Sequence, residues 1–207
     1  HMPDTGIKGI DLYFKNKDKW QYINTGRPEG IKNESILIDN MTEKMREFKI
    51  FLPLYDGIVN IEVGIDSESI IKKPLKKNKK TIIFYGTSIT QGGCASRPGM
   101  AHTNIISRKL DFDCVNFGFS GNGIMEQPIA KLISESKPLF YVIECMPNMI
   151  NAENVTNKTI PLVDTIRENN TEAPIVLVDY FIPTTSILDK KTENEIRGMN
   201  LALKIRI

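Results

Sequence analysis

The sequence lacks the features that mark several classes of protein. Its 207 residues contain three cysteines, too few for a disulfide framework. No apolar run approaches the roughly 20 residues of a membrane-spanning helix, and the first residues do not resemble a secretory signal. A formal net charge of +2 gives little electrostatic attraction to nucleic acid. We therefore expect a globular protein with no nucleic-acid or membrane partner, and the sequence predicts neither its oligomeric state nor its compartment.

The cysteines themselves favour a structural role. Cys94, Cys114 and Cys145 all lie in or beside apolar segments. A free cysteine in such surroundings is commonly a small buried hydrophobic residue. The sequence therefore predicts three buried free thiols.

Residues 1–71 have the pattern of an all-β domain. Short apolar, β-branched or aromatic runs alternate with turn sequences. The predicted strands cover residues 10–14, 20–23, 35–38, 48–52 and 58–63. A complete sandwich has about seven strands. We therefore expect residues 1–71 to form a partial sandwich or jelly-roll-like domain.

Residues 72–80 are dominated by lysine and separate two regions of different character. A basic run of this kind is usually a solvated linker, but it also suits an anionic surface. No aromatic residue is interleaved with the lysines, as a nucleic-acid groove would require. A linker over residues 72–80 is the favoured interpretation.

From residue 81 to residue 207 the pattern predicts an α/β domain. Continuous apolar runs at residues 82–85, 115–117, 139–143 and 175–178 are typical of parallel strands covered on both faces. One predicted helix begins at Gln127–Pro128. Two further helices are predicted over residues 159–169 and 192–207. Strands alternating with helices indicate a doubly wound parallel sheet.

Polar loops follow three of these predicted strands. Ser88 comes after the first strand, Gly121 lies in the sequence NFGFSGNG after the second, and Asn148 ends the sequence ECMPN after the third. Because the carboxyl ends of parallel strands share one edge of the sheet, we expect the three loops to meet there. Glycine-rich loops at this edge suit either phosphate binding or catalysis by an exposed hydroxyl.

The phosphate interpretation fits the spacing poorly. A Walker loop carries Lys and then Ser or Thr after its last glycine, whereas Gly92 is followed by Gly93 and Cys94. The glycines of residues 118–123 have the reverse of the G-x-G-x-x-G spacing. A phosphate or nucleotide binder therefore remains the less favoured hypothesis.

Acyl transfer fits the same residues better. Ser88 is a candidate nucleophile, and the backbone N–H of Gly121 and the side-chain amide of Asn148 are candidate donors to an oxyanion. Each residue alone is also explained as a helix N-cap or a turn residue. Their occurrence at three successive strand ends favours the catalytic interpretation.

These residues resemble a known family. Residues 86–90, GTSIT, resemble the first block of the SGNH (GDSL-type) hydrolases, with Thr87 in place of the usual Asp. Residues 116–121 and 144–148 resemble the second and third blocks, and GIDLY at residues 9–13 is similar to the Gly-x-Asp-Leu-Tyr signature of a β-rich domain that precedes one esterase branch. The resemblance implies a flavodoxin-like three-layer domain at residues 81–207.

The resemblance also implies a chemistry. It implies ester hydrolysis through an acyl-enzyme, with no metal or other cofactor. Ser88 would be the nucleophile, and Gly121 and Asn148 would form the oxyanion hole with the backbone N–H of Ser88. Because many relatives remove acetyl or other acyl groups from carbohydrates, the implied substrate is a carbohydrate or small-molecule ester.

The sequence departs from the family in its catalytic base. The family ends with an Asp-x-x-His block, which this sequence lacks, and relatives carry further strands ahead of the matching region. We therefore expect a fragment at both ends, weakly active or inactive, compatible with a periplasmic or secreted protein if the N-terminus lies upstream. His102 is a candidate substitute base, and both Arg97 and His102 are candidate substrate-loop residues. A residue near a helix start is the favoured interpretation of His102, whereas a surface charge explains Arg97 as well as a substrate contact does. A non-catalytic carbohydrate-binding or degenerate relative remains the alternative.

Overall fold

A computed structural model describes residues 1–74 and 80–204. The chain divides into two compact units, residues 1–79 with 92–111 (unit 1) and residues 80–91 with 112–207 (unit 2). The predicted boundaries, residues 1–71, 72–80 and 81–207, stay a prediction. Residues 92–111, which we assigned to the second domain, have their contacts within unit 1. Residues 75–79 of the predicted linker lie outside the described residues.

Unit 1 is built on a three-stranded antiparallel sheet in the order β2-β1-β3. Its strands are β1 (Ile10–Asn16), β2 (Lys19–Gly26) and β3 (Phe48–Phe51). Two helices belong to the same unit, α1 (Asp4–Ile7) and α3 (His102–Leu110). The sheet agrees with the predicted partial all-β domain.

Two of the predicted strands in unit 1 are wrong. Residues 35–38 and 58–63 form no strand. Most of their apolar side chains are exposed, including Ile36 at 81% and Val59 at 105%, and Leu37 and Ile38 are only partly buried. A β-type sequence becomes a strand only when another strand satisfies its backbone, and no described strand pairs with either segment.

A buried carboxylate organises unit 1. Asp11 is 0% exposed and accepts hydrogen bonds from the backbone N–H of Gly99 at 2.7 Å and from the Thr25 hydroxyl at 2.6 Å. Arg97 adds an ion pair at 3.0 Å and also donates to the Tyr13 hydroxyl at 2.6 Å. A buried charge requires such partners, because burial removes its hydration. The Asp-Leu-Tyr sequence of β1 therefore holds residues 97–99 in place.

Unit 2 is built on a four-stranded parallel sheet in the order β5-β4-β6-β7. Its strands are β4 (Thr81–Gly86), β5 (Asp113–Gly118), β6 (Phe140–Glu144) and β7 (Ile175–Leu177). Numbered within the unit, this order is 2-1-3-4, which is that of flavodoxin-like doubly wound folds. The predicted α/β fold is confirmed.

The helices of unit 2 are α2 (Ser88–Gln91), α4 (Gln127–Ser134), α5 (Ala152–Asn169) and α6 (Lys190–Lys204). The predicted start of α5 at residue 159 is wrong by seven residues, and Pro161 lies inside the helix. Asn151 caps the helix by accepting a hydrogen bond from the backbone N–H of Asn154 at 2.9 Å. No helix among residues 1–74 and 80–204 is long and apolar enough to cross a membrane.

The core of unit 2 consists of β-branched and aromatic side chains of β4 and β6 packed against α4, α5 and α6. Its fully buried members include Ile83, Tyr141, Ile133 and Leu162. Cys145 is buried with them, whereas Cys114 is only partly buried and Cys94 is exposed. The predicted burial of Cys94 is therefore wrong, because an apolar neighbourhood in sequence does not fix the side chain's direction.

We expect Ile133→Ala to destabilise the protein by about 2–5 kcal/mol, because it leaves a cavity in a packed core. Ile133 is 0% exposed, whereas its neighbour Leu132 on the same helix is 47% exposed. Leu132→Ala should therefore change the free energy of unfolding by less than about 1 kcal/mol. Urea denaturation followed by circular dichroism measures both, and equal losses would contradict the assigned face of α4.

Candidate active site

The carboxyl ends of three parallel strands lie side by side in unit 2. Gly86, the last residue of β4, is paired with Gly118 of β5 and with Glu144 of β6. The chain leaves β4 toward β5 on one side, and β6 lies on the other. This reversal is the switch point of a doubly wound sheet, where such folds bind their ligands.

Glycines allow the backbones at this edge to approach one another. A Cβ on Gly86 would lie 2.3 Å from the Thr90 hydroxyl, and one on Gly118 would lie 2.1 Å from the backbone nitrogen of Gln91. Gly123 has φ +68°, and its Cβ would lie 2.1 Å from the carbonyl oxygen of Gly86. These distances exclude any side chain. The glycine-rich loops of the sequence therefore serve close packing of backbone against backbone.

Ser88 begins α2, two residues after the end of β4. Its side chain is partly exposed, while the preceding Thr87 is fully buried. The turn is fixed because the backbone N–H of Thr87 donates to the carbonyl of Glu144 at 3.2 Å and that of Gln91 donates to the carbonyl of Thr87 at 3.0 Å. Ser88 is thus presented by a well-anchored turn.

The second and third loops are joined to each other through Asn148. This residue ends a 3-10 turn over Met146–Asn148, and its side-chain amide donates to the carbonyl of Asn122. The adjacent Gly121 has φ +69°, and a Cβ on it would meet no atom within 4 Å. Open space therefore lies beside Gly121. Contacts between Asn148 and Asn122, and between Gly123 and Gly86, bring the three predicted loops together.

Two amide side chains that the sequence analysis missed fix the second loop. Asn116 donates to the carbonyl of Thr90 at 2.8 Å and accepts from the backbone N–H of Gly118 at 2.8 Å. Gln91 accepts from the backbone N–H of Ser120 at 3.0 Å. An amide can donate and accept at once, which suits a bridge between backbones. The sequence did contain a signal for the role of Asn116, because this residue stands two places before Gly118, the glycine that ends β5.

Tyr85 and Glu126 anchor the far end of the second loop. The Tyr85 hydroxyl is hydrogen-bonded to the Glu126 carboxylate and accepts from the backbone N–H of Glu126 at 2.9 Å. Burial raises the pKa of Tyr85. Burial also opposes ionisation of Glu126, but the hydrogen bonds from Tyr85 and from nearby backbone N–H groups outweigh it and lower the pKa of that carboxyl. Glu126 is therefore an ionised anchor at neutral pH.

Cys145 carries a thiol next to this edge. Burial raises the pKa of its thiol to about 12, so the thiol stays protonated at neutral pH. Ser88 therefore has no competitor from Cys145. In the part of the chain that the structure describes, no three His, Cys, Asp or Glu side chains are placed to hold a metal ion.

The two remaining candidates, Arg97 and His102, belong to unit 1. Arg97 is engaged by Asp11 and Tyr13, which gives it a role in packing. His102 is exposed and is the first residue of α3. Contact of either residue with a substrate stays a prediction.

Two family models match the chain. Residues 79–206 match the GDSL-like lipase/acylhydrolase family. Residues 1–71 match the GxDLY model, described as the N-terminus of SGNH-hydrolase-type esterases. Together the two models cover both parts of the sequence that carried the resemblance.

Several solved structures are similar to this chain. A protein of Bacteroides ovatus ATCC 8483, described as a GDSL-like lipase, is 34% identical with a TM-score of 0.89 over 98% of this chain. The chain spans 62% of the length of that protein. No curated protein matches the chain.

Two more distant structures share the fold. The salicylyl-acyltransferase SsfX3 from a tetracycline biosynthetic pathway is 17% identical with a TM-score of 0.68, over 96% of this chain and 60% of its own. A family two carbohydrate esterase from Clostridium thermocellum, in complex with cellohexaose, is 13% identical with a TM-score of 0.59, over 99% of this chain and 75% of its own.

We expect Gly123→Ala to be more destabilising than Gly121→Ala. Both glycines have positive φ, so each substitution carries a backbone cost of about 1–2 kcal/mol. Only at Gly123 would the new Cβ collide with a backbone, the carbonyl oxygen of Gly86, which adds about 1–3 kcal/mol of overpacking. Chemical denaturation of the two variants measures the difference, and equal destabilisation would contradict the close approach of the first and second loops.

Proposed function

Because the chain belongs to the GDSL-like lipase/acylhydrolase family, we propose that it is a serine esterase that hydrolyses acyl esters through an acyl-enzyme. One observation carries the proposal: the loops of Ser88, Gly121 and Asn148 are joined at the switch point of the sheet. The three loops carry a partly exposed hydroxyl, open space at Gly121 and an amide donor, and they meet at one edge of the sheet. A nucleophile and oxyanion donors are two of the requirements of acyl transfer.

In the proposed reaction the Ser88 oxygen attacks the ester carbonyl carbon. The carbonyl oxygen becomes an oxyanion, which accepts hydrogen bonds from the backbone N–H groups of Ser88 and Gly121 and from the Asn148 amide. Collapse breaks the bond to the alcohol, which leaves with a proton. Water then attacks the acyl-enzyme and releases the acid. A side-chain amide has two N–H bonds, so Asn148 can bind both the Asn122 carbonyl and an oxyanion.

The proposed substrate is an acetyl or other short acyl ester of a carbohydrate. The open space beside Gly121 leaves room for an acyl group. The shared fold with a carbohydrate esterase supports the sugar as the alcohol. No metal or other cofactor is part of the proposed reaction.

The general base is a separate part of the proposal. The sequence contains two histidines, His1 and His102, and neither follows an Asp at three residues' distance. Without a base, the Ser88 hydroxyl stays protonated and is a poor nucleophile at neutral pH. We therefore propose that these 207 residues alone hydrolyse activated esters slowly. A longer protein that continues through an Asp-x-x-His block should be faster by orders of magnitude.

We expect Ser88→Ala to abolish the hydrolysis of p-nitrophenyl acetate above the rate in buffer. The matched control is Ser120→Ala, because Ser120 is exposed in the second loop and uses its backbone there. The ratio kcat/KM is measured for the 207 residues and for the longer protein, with His102→Ala in each. Hydrolysis that survives Ser88→Ala would rule out the proposed nucleophile. His102 would be the base if the 207 residues and the longer protein had equal kcat/KM and if His102→Ala abolished hydrolysis by both.

We expect Asn148→Ala to lower kcat by about 10²–10³ with little change in KM, because the lost donor serves a charge that grows in the transition state. Asn122→Ala is the control, since Asn122 meets Asn148 through its backbone carbonyl and keeps that group. Steady-state kinetics on an activated acetate separates the two constants. A raised KM with unchanged kcat would assign Asn148 to substrate binding instead.

A further inference from the structure

We infer that Glu144, the last residue of β6, is a positioning residue for Ser88. Its carboxylate holds the turn that presents the nucleophile, although it belongs to the neighbouring strand. The inference rests on the proposed function of Ser88. It assigns a role to an acidic residue that the proposed reaction does not itself use.

The hydrogen bonds of Glu144 converge on both sides of Ser88. Its Oε2 atom accepts from the Thr90 hydroxyl at 2.7 Å, from the Thr87 hydroxyl at 2.9 Å and from the backbone N–H of Thr87 at 3.3 Å. The carbonyl oxygen of Glu144 also accepts from that N–H, at 3.2 Å. One acidic residue therefore binds the residue before Ser88 and the residue two places after it.

The two threonines transmit this hold to the turn. Thr87 is 0% exposed and Thr90 is 1% exposed, so their hydroxyls are cut off from water and need an acceptor. The Thr87 hydroxyl in turn accepts from the backbone N–H of Ile89 at 3.2 Å. A network of hydrogen bonds thus runs from Ile89 through Thr87 to Glu144. The directions of the Ser88 N–H and of its Cα–Cβ bond follow from this network, because the backbone of Ser88 lies between its members.

Gly86 makes the room that Glu144 needs. A Cβ on Gly86 would lie 2.9 Å from Oε2 of Glu144 and 2.6 Å from its carbonyl oxygen. Any side chain at position 86 would push against the carboxylate and against the Thr90 hydroxyl. Thr87 stands where the first block of the resembled family has Asp, and in this chain the carboxylate at the turn comes from β6 instead.

A positioning role differs from two other roles that a carboxylate can play. If Glu144 supplied a general base, Glu144→Gln would be as inactive as Ser88→Ala. If it only stabilised the fold, its loss would lower the melting temperature and leave kcat unchanged at temperatures where the variant is folded. As a positioning residue it can be replaced by Gln, because the amide oxygen of Gln accepts the same hydroxyl hydrogen bonds.

The experiment compares Glu144→Ala, Glu144→Gln and Thr90→Val, with Glu135→Ala as the control for loss of an exposed charge. It uses whichever form hydrolyses activated acetate, the 207 residues or the longer protein. The readouts are kcat and KM on p-nitrophenyl acetate, and the rate at which diisopropyl fluorophosphate labels Ser88, followed by intact mass. In the labelling step the Ser88 oxygen bonds to phosphorus and fluoride leaves with the serine proton.

We expect Glu144→Ala to lower kcat and the labelling rate together by about 10²-fold, the loss typical of a nucleophile misplaced by about 1 Å. KM should stay within about twofold, and Glu144→Gln should recover most of the rate. Thr90→Val keeps the shape of the side chain and removes one hydroxyl, so it should give a smaller loss in the same direction. This variant also tests the inference if Glu144→Ala does not fold.

Unchanged kcat and labelling in folded Glu144→Ala, or in Thr90→Val if the former does not fold, would overturn the inference. So would a Glu144→Gln variant as inactive as Ser88→Ala. Failure of the proposed function has a different signature. In that case the unsubstituted protein is not labelled at Ser88, and Ser88→Ala hydrolyses the ester at the unsubstituted rate.

Discussion

Crowding of the backbone at the carboxyl end of β4 is the constraint on which the rest of the site depends. Gly86 has the backbone of Glu144 close on one side, and its carbonyl oxygen faces Gly123. No side chain fits between these segments. The missing side chains let three loops from three strands pack as one layer, so that each loop is held by the other two. A site built this way is preorganised by main-chain atoms, whose positions vary less than those of long side chains.

The sequence predicted the parts of the molecule that depend on local pattern. The strands of the parallel sheet were found because burial on both faces leaves continuous apolar runs, and Ser88 was found because it follows one of them directly. Residues 35–38 and 58–63 were predicted wrongly, because β-type composition cannot tell whether a partner strand is present. The start of α5 was predicted seven residues too late, and the observed helix continues through Pro161, a residue that usually stands in the first turn of a helix.

Contacts between residues far apart in sequence were beyond the sequence analysis. Arg97 was considered for a substrate or a surface charge, whereas the structure pairs it with Asp11, 86 residues away. Glu144 was noted as part of a loop, but its threonine partners lie on another strand's loop. Each acidic residue lies on a strand and stabilises a loop from another part of the chain. Asp11 binds the guanidinium of Arg97, and Glu144 binds the hydroxyls of Thr87 and Thr90. Sequence alone gives no distance between such groups, because residues that are far apart in the chain leave no local pattern that shows their contact.

The alternation of the chain between its two units bears on how it folds during synthesis. Unit 1 needs residues 92–111 as well as the first 79, so it cannot be completed when residue 79 has been made. Asp11 must wait for Arg97, 86 residues later, which takes roughly 4–17 s at the usual speed of translation, about 5–20 residues per second. Through that interval the first β-strands lack the partners that make burial of the carboxylate favourable.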